Sequence, residues 1–117
     1  MATVTIYHNP RCSKSRETLA LLQQHGVEPQ VVRYLEQAPD EATLRQLMQA
    51  LGMDSPREMM RRKEAEYQAL GLDDPALSDE QLLVALAAHP KLLERPIVVA
   101  QGKARLGRPP EQVLEIL

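Results

Sequence analysis

The sequence predicts an α/β fold in which a β-α-β start and a β-β-α end bracket an all-helical insert of about residues 40–94. Three observations carry this. Thr3-Val4-Thr5-Ile6-Tyr7 alternates and is β-branched or aromatic throughout, the pattern of a half-buried strand. Leu44, Leu47, Met48 and Leu51 recur at helical spacing, and strand-like runs are absent from the stretch that follows. Ile97-Val98-Val99 is a short apolar run, closely followed by a Gly102 turn and a second extended segment.

Taken in order, His8-Asn9-Pro10 stops the first strand, and helix formers run from about Ser13 to His25 with Leu19 and Leu22 on one face. Gly26 ends that helix, since a residue without a Cβ adopts the left-handed cap conformation cheaply. Gln30–Tyr34 is a second strand. The helix carrying Leu44 to Leu51 is stopped by Gly52. Ser55-Pro56 reads as an N-cap followed by proline at the first helical position, opening a short helix through Met59 and Met60 to about Arg62. A further helical piece covers about Glu64–Leu70. Ser78-Asp79-Glu80-Gln81 matches a capping box and opens a helix through Leu82, Leu83 and Leu86, ended by Pro90. Strands at Ile97–Val99 and about Lys103–Leu106 precede a terminal helix started by Pro109-Pro110 and carrying Val113, Leu114 and Leu117. A parallel β-α-β start with a hairpin and helix at the end is the thioredoxin arrangement. At 117 residues the chain suits one domain, 1–117, with the helices as an insert.

Composition narrows the function. With 44% hydrophobic and 26% charged residues the chain reads as a soluble globular protein. Only Tyr7, Tyr34 and Tyr67 are aromatic, too few for a base-stacking platform, and a net charge of -2 offers no attraction to nucleic acid or an anionic membrane. No apolar run approaches the roughly 20 residues of a membrane span, and MATVTIYHNP lacks a signal-peptide layout; the expected location is cytoplasmic. Charge is uneven. Residues 64–94 carry 1 Lys/Arg against 7 Asp/Glu, whereas the first 16 residues hold Arg11, Lys14 and Arg16 without an acid, and residues 95–108 hold Arg95, Lys103, Arg105 and Arg108 without one. Brought together, these ends would form an anion site.

Cys12 is the only cysteine, so any redox chemistry needs a resolving thiol from another molecule. It falls between a strand and the first turn of a helix, where free backbone N–H groups and the helix dipole stabilise an anion and depress a thiol pKa. Arg11, Lys14 and Arg16 add nearby positive charge. His8, across a tight loop, could add positive charge, hydrogen-bond the thiolate, or only bond loop backbone. Ser15 stands where a dithiol oxidoreductase has its second cysteine, giving C-x-x-S and a monothiol mechanism. His25 and His89 sit at helix ends and are expected to satisfy terminal carbonyls; no histidine has metal-ligand spacing with Cys12, so no metal site is expected. Arg95-Pro96 precedes the Ile97 strand, and a cis bond is expected there, as X-Pro bonds tolerate cis. Arg61, Arg62 and Arg108 read equally well, by themselves, as solvated side chains.

Beyond these readings, the chain resembles the glutaredoxin-linked arsenate reductases (ArsC-like), most of all their uncharacterised subgroup. The residues that carry the resemblance are Ile6-Tyr7-His8-Asn9-Pro10-Arg11-Cys12 through Ser15-Arg16, Tyr34-Leu35-Glu36, Met60-Arg61, Tyr67, Leu70-Gly71-Leu72, His89-Pro90, Arg95-Pro96-Ile97-Val98-Val99 and Arg105-Leu106-Gly107-Arg108-Pro109. They span essentially the whole chain. The resemblance implies that Cys12 attacks arsenate to form a thiol-arsenate adduct, that glutathione resolves it, and that glutaredoxin removes the glutathione as arsenite leaves. It implies that His8 helps keep Cys12 ionised and that Arg61, Arg95 and Arg108 bind the oxyanion, with Arg62 replacing Arg61 if the register slips by one. Ser15 joins the substrate site in this reading. Glutathione would be a co-substrate, with no bound cofactor. Ser13-Lys14 replaces the Gly-Thr of the best-known members, and Gly107 stands where they have another cysteine. A different class, a thioredoxin-like redox-sensing or protein-binding regulator, shares the fold but typically carries C-x-x-C.

Overall fold

The computed structural model describes residues 3–117, which form two compact units: the chain up to Gln37 together with Arg95–Leu117, and Ala38–Glu94.

In the first unit, strand β1 (Thr5–Tyr7) leads through a loop to helix α1 (Ser13–Gln24), and strand β2 (Gln30–Val32) returns parallel to β1. After the second unit, strands β3 (Ile97–Ala100) and β4 (Lys103–Leu106) form an antiparallel hairpin. The sheet order is β2-β1-β3-β4, with Ile6 opposite Val31 on one side and Val98 on the other. This is the expected thioredoxin-like arrangement. Gly102 takes φ 76° and Gln101 φ 54° at the hairpin turn. Gln101 thus shares with glycine the left-handed conformation that side chains other than Asn and Asp resist. The core joins sheet, α1 and the C-terminal turns through Ile6, Leu22, Val98, Ala100, Val113 and Ile116, with Leu19 packed against them. The predicted terminal helix is a tighter 3-10 segment, Pro110–Ile116. Pro110 occupies its first position, where a helical segment tolerates proline because that N–H would be unpaired anyway.

In the second unit, helix α2 (Glu41–Ala50) is capped by Asp40, whose side chain accepts from the Thr43 N–H at 2.8 Å. Ser55 closes a capping box with Glu58, but the helix it opens is a single 3-10 stretch, Pro56–Met59, and stops before Arg62. It stops because Met60 turns extended and bridges to Leu93, while the Glu94 N–H donates to Met59 O and the Arg61 N–H to Leu92 O, both at 2.7 Å. Helices α3 (Ala65–Ala69) and α4 (Asp79–Ala88) follow, the latter with the Ser78–Gln81 capping box read from the sequence. A 3-10 turn follows at Pro90–Leu92, where the sequence predicts only the end of α4. Leu44, Leu47, Met59, Leu82, Leu83 and Leu86 are all buried. No helix among the described residues is long and apolar enough to cross a membrane.

Candidate active site around Cys12

The loop joining β1 to α1 is built by its own backbone. The Cys12 N–H donates to Asn9 O and the Arg11 N–H to Asn9 Oδ1, each at 3.0 Å, so Asn9 turns the chain sharply through Pro10 and Arg11. Cys12 then occupies the N-cap of α1 with extended backbone, φ -96° and ψ 123°. Its sulfur stands where a capping Ser or Asp oxygen usually sits.

Burial pushes the Cys12 thiol up, but four influences together outweigh it and hold its pKa below the ordinary thiol value. These are the Ser15 N–H, the Arg95 guanidinium, the Lys14 N–H and the Arg108 guanidinium. The two N–H groups act as dipoles aimed at the sulfur, since neither closes a fully formed capping hydrogen bond onto it. Arg108 Nη2 donates to Cys12 Sγ at 3.6 Å, and Arg108 Nε donates to the Arg95 carbonyl at 2.8 Å. Residues 96 positions apart in sequence thus meet at the thiol. Arg95 Nε is buried and has no hydrogen-bond partner among the described residues. Both Arg95-Pro96, as expected, and Arg108-Pro109 are cis.

The neighbouring cations do something other than the sequence suggests. Lys14 pairs with Glu17 at 3.5 Å along the helix. Arg16 Nη1 donates to Pro10 O at 3.0 Å and so braces the loop. The cations that act on Cys12 come from the far end of the chain.

His8 is buried, and its Nδ1 lies 2.6 Å from Ser15 Oγ. Ser15, fully buried, also accepts from the Asn9 N–H at 3.0 Å. Of the three roles open to His8, a fixed positive charge is disfavoured: burial, then Arg33 and Arg16, push its pKa below the ordinary imidazole value. Its hydrogen bond goes to Ser15, whose N–H acts on the sulfur. Arg33 was missed in the sequence. Its signal was the parallel pairing itself, because continuing the Tyr7–Val32 register by one step sets His8 beside Arg33, and the His8 N–H donates to Val32 O at 2.8 Å.

Arg61 lies in the second unit, where its Nη2 is 2.6 Å from Glu64 Oε1 and the Glu64 carboxylate also reaches Lys91 Nζ at 3.8 Å. Arg62 is exposed, with Nε donating to Arg57 O at 3.2 Å. Arg57 itself donates to the carbonyls of Leu72 and Asp74, tying two segments of that unit together. His25 bonds the Leu21 carbonyl as expected, at 3.0 Å. His89 does not use its ring on a helix-end carbonyl: Nδ1 sits 2.6 Å from Glu66 Oε1, a carboxylate presented by the first turn of α3. No cluster of three or more metal-ligating side chains exists among the described residues.

A thioredoxin-like sheet bearing one thiol at a helix N-terminus, with its pKa lowered by nearby guanidinium groups, defines a class of single-thiol thioredoxin-like proteins. The chain belongs to the ArsC family, whose profile matches residues 7–116. It is 66% identical over 97% of its length to an uncharacterised protein, YfgD, of Escherichia coli K12, covering 96% of that protein. An arsenate reductase of Neisseria meningitidis serogroup B is 50% identical, with 100% of both chains covered. The solved arsenate reductase of Vibrio cholerae superposes with a TM-score of 0.97 at 61% identity, covering 98% of each chain.

Proposed function

We propose that this protein reduces arsenate to arsenite through Cys12, with glutathione and glutaredoxin supplying electrons. The observation that carries the reading is the Arg108 guanidinium 3.6 Å from a Cys12 sulfur already disposed to ionise, in a chain alike over its whole length to an arsenate reductase.

The physical need for those cations can be sized. A thiolate and an arsenate oxygen about 4 Å apart repel by about 4 kcal/mol per charge pair at an effective dielectric of about 20. A helix N-terminus offers up to about 2 kcal/mol against this. Guanidinium groups close the gap because they stay charged and fork onto two oxygens. Arg95, with a buried unpaired Nε, and Arg108 are two such groups.

In the reaction, Cys12 sulfur forms a bond to arsenic(V) and one arsenate oxygen leaves as water after taking up protons. Glutathione then attacks the adduct. The two sulfurs join as a Cys12–glutathione disulfide and give up two electrons, arsenic accepts them, and arsenite departs. Glutaredoxin exchanges the glutathione away and restores the thiol. His8 acts at one remove, fixing Ser15 and through it the first turn of α1.

The test is NADPH consumption by purified protein with glutathione, glutaredoxin and glutathione reductase, with and without arsenate. Arsenate-dependent turnover abolished in Cys12→Ser is expected. Turnover that is absent, or survives in Cys12→Ser, refutes the proposal and leaves the regulator reading standing.

A further inference from the structure

At the carboxyl ends of the parallel strands β1 and β2, where ligands of open α/β sheets bind, a pocket of about 250 Å³ is lined by His8, Pro10, Arg11, Arg33, Leu35 and Glu36. The turn after β2 assembles one wall: the Glu36 N–H donates to Arg33 O at 2.9 Å, folding Glu36 back beside Arg33. Neither the Arg11 nor the Arg33 guanidinium has a hydrogen-bond or ion-pair partner among the described residues, and the same holds for the Glu36 carboxylate. Leu35, 46% exposed, adds an apolar face. A larger groove along α1 makes a useful contrast, because its Lys14 and Glu17 already neutralise each other.

We propose that this pocket seats the γ-glutamyl head of glutathione, its α-carboxylate on Arg11 and Arg33 and its α-ammonium on Glu36. The inference rests on the glutathione-dependent reading above and names where that co-substrate is held. Two cations and one anion match a zwitterionic amino-acid head, whereas Glu36 repels a plain oxyanion such as arsenate. The pocket is smaller than the roughly 300–1,000 Å³ of whole-ligand sites, as suits one end of a tripeptide. Reach is adequate too. Arg11 directly precedes Cys12, consecutive Cα atoms are about 3.8 Å apart, and the thiol-bearing residue of glutathione is the neighbour of its γ-glutamyl group. The ligand's methylenes would lie on Leu35.

The test avoids arsenate. Cys12 thiolate attacks oxidised glutathione: the glutathione S–S bond breaks, a Cys12–glutathione disulfide forms, and one glutathione leaves as thiolate, so that Cys12 is oxidised and the departing sulfur reduced. Rates followed by mass spectrometry are divided by those with the uncharged hydroxyethyl disulfide, which cancels any change in Cys12 reactivity. Arg33→Ala and Arg11→Ala are each expected to lower this ratio at least about fivefold, the factor equivalent to about 1 kcal/mol. With the disulfide of Cys-Gly, which lacks the γ-glutamyl head, the ratio should not move. An unchanged ratio in both variants, or an equal fall with the Cys-Gly disulfide, overturns the site. Failure of arsenate turnover with the Arg33 dependence intact instead removes the arsenate reading and keeps the pocket.

Discussion

Replacing Gly107 by alanine adds one methyl group where none fits. Gly107 is buried, and a Cβ built there overlaps Thr18 Oγ1 outright, meets Pro96 Cγ at 2.7 Å and lies 3.1 Å from Thr18 Cγ2. Thr18 can turn away only by giving up the hydrogen bond its hydroxyl donates to Lys14 O at 2.8 Å, a loss of about 1 kcal/mol. The Pro96 ring has less freedom still, since its carbonyl accepts from the Gly107 N–H at 3.0 Å and β3 begins at the next residue. Overpacking of this kind costs about 1–3 kcal/mol, so the whole penalty is about 2–4 kcal/mol. At about 4 °C per kcal/mol for a chain of this size, Gly107→Ala should melt about 8–16 °C below wild type by circular dichroism. Thr18→Ala in the same chain removes the worst overlap and should recover part of the loss, a non-additivity diagnostic of direct contact. Because Arg108 follows Gly107, Cys12 alkylation at fixed pH should slow as well. A Gly107→Ala protein melting within about 2 °C of wild type would refute the packing argument.

Two further outcomes are expected. Arg108→Ala, by removing the cation 3.6 Å from the sulfur, should move the midpoint of Cys12 alkylation to higher pH, with Arg108→Lys in between; coincident profiles would mean that Arg108 does not hold the thiolate. Burial, with Arg33 and Arg16 nearby, holds the folded-state pKa of His8 below the ordinary imidazole value of 6.5, so the unfolded chain binds the extra proton first. Its contribution to stability is complete above pH 6.5 and is lost as pH falls through the folded value, which makes stability rise with pH in that window. Urea midpoints at pH 5 and 7 should therefore differ more in wild type than in His8→Gln, and an equal difference in both would count against a neutral buried imidazole.

What could be read from the sequence was what local rules control. Strand β4 falls on Lys103–Leu106 as expected, α1 is one residue shorter at its C-terminal end than expected, and the Ser78 capping box opens α4. The misreadings share a physical origin in long-range pairing. Ser55-Pro56 promised a helix to Arg62, but the bridge between Met60 and Leu93, 33 residues later, ends it early. At the site, the thiol at a helix start was legible because the strand, loop and helix are adjacent in sequence. Which cations face it was not: Lys14 and Arg16 are near in number but turned to Glu17 and Pro10, whereas Arg108 arrives through the β3–β4 hairpin. His89 likewise found Glu66 rather than a carbonyl, a choice set by tertiary packing that no capping rule contains.

Placing the sulfur at the N-cap of α1 has a consequence for the half of a thiol's life spent bonded to something else. A thiolate held by helix N–H dipoles and guanidinium groups loses that support once the sulfur is joined to another atom and its charge is gone. The bonded form is therefore raised in energy relative to the free anion, and Cys12 becomes a good leaving group, because disulfides release the lower-pKa sulfur faster. The same groups that draw the proton off at the start also make any mixed disulfide of Cys12 strongly oxidising towards an incoming thiol. A protein without a second cysteine depends on outside thiols for its release, and its helix cap makes that release downhill.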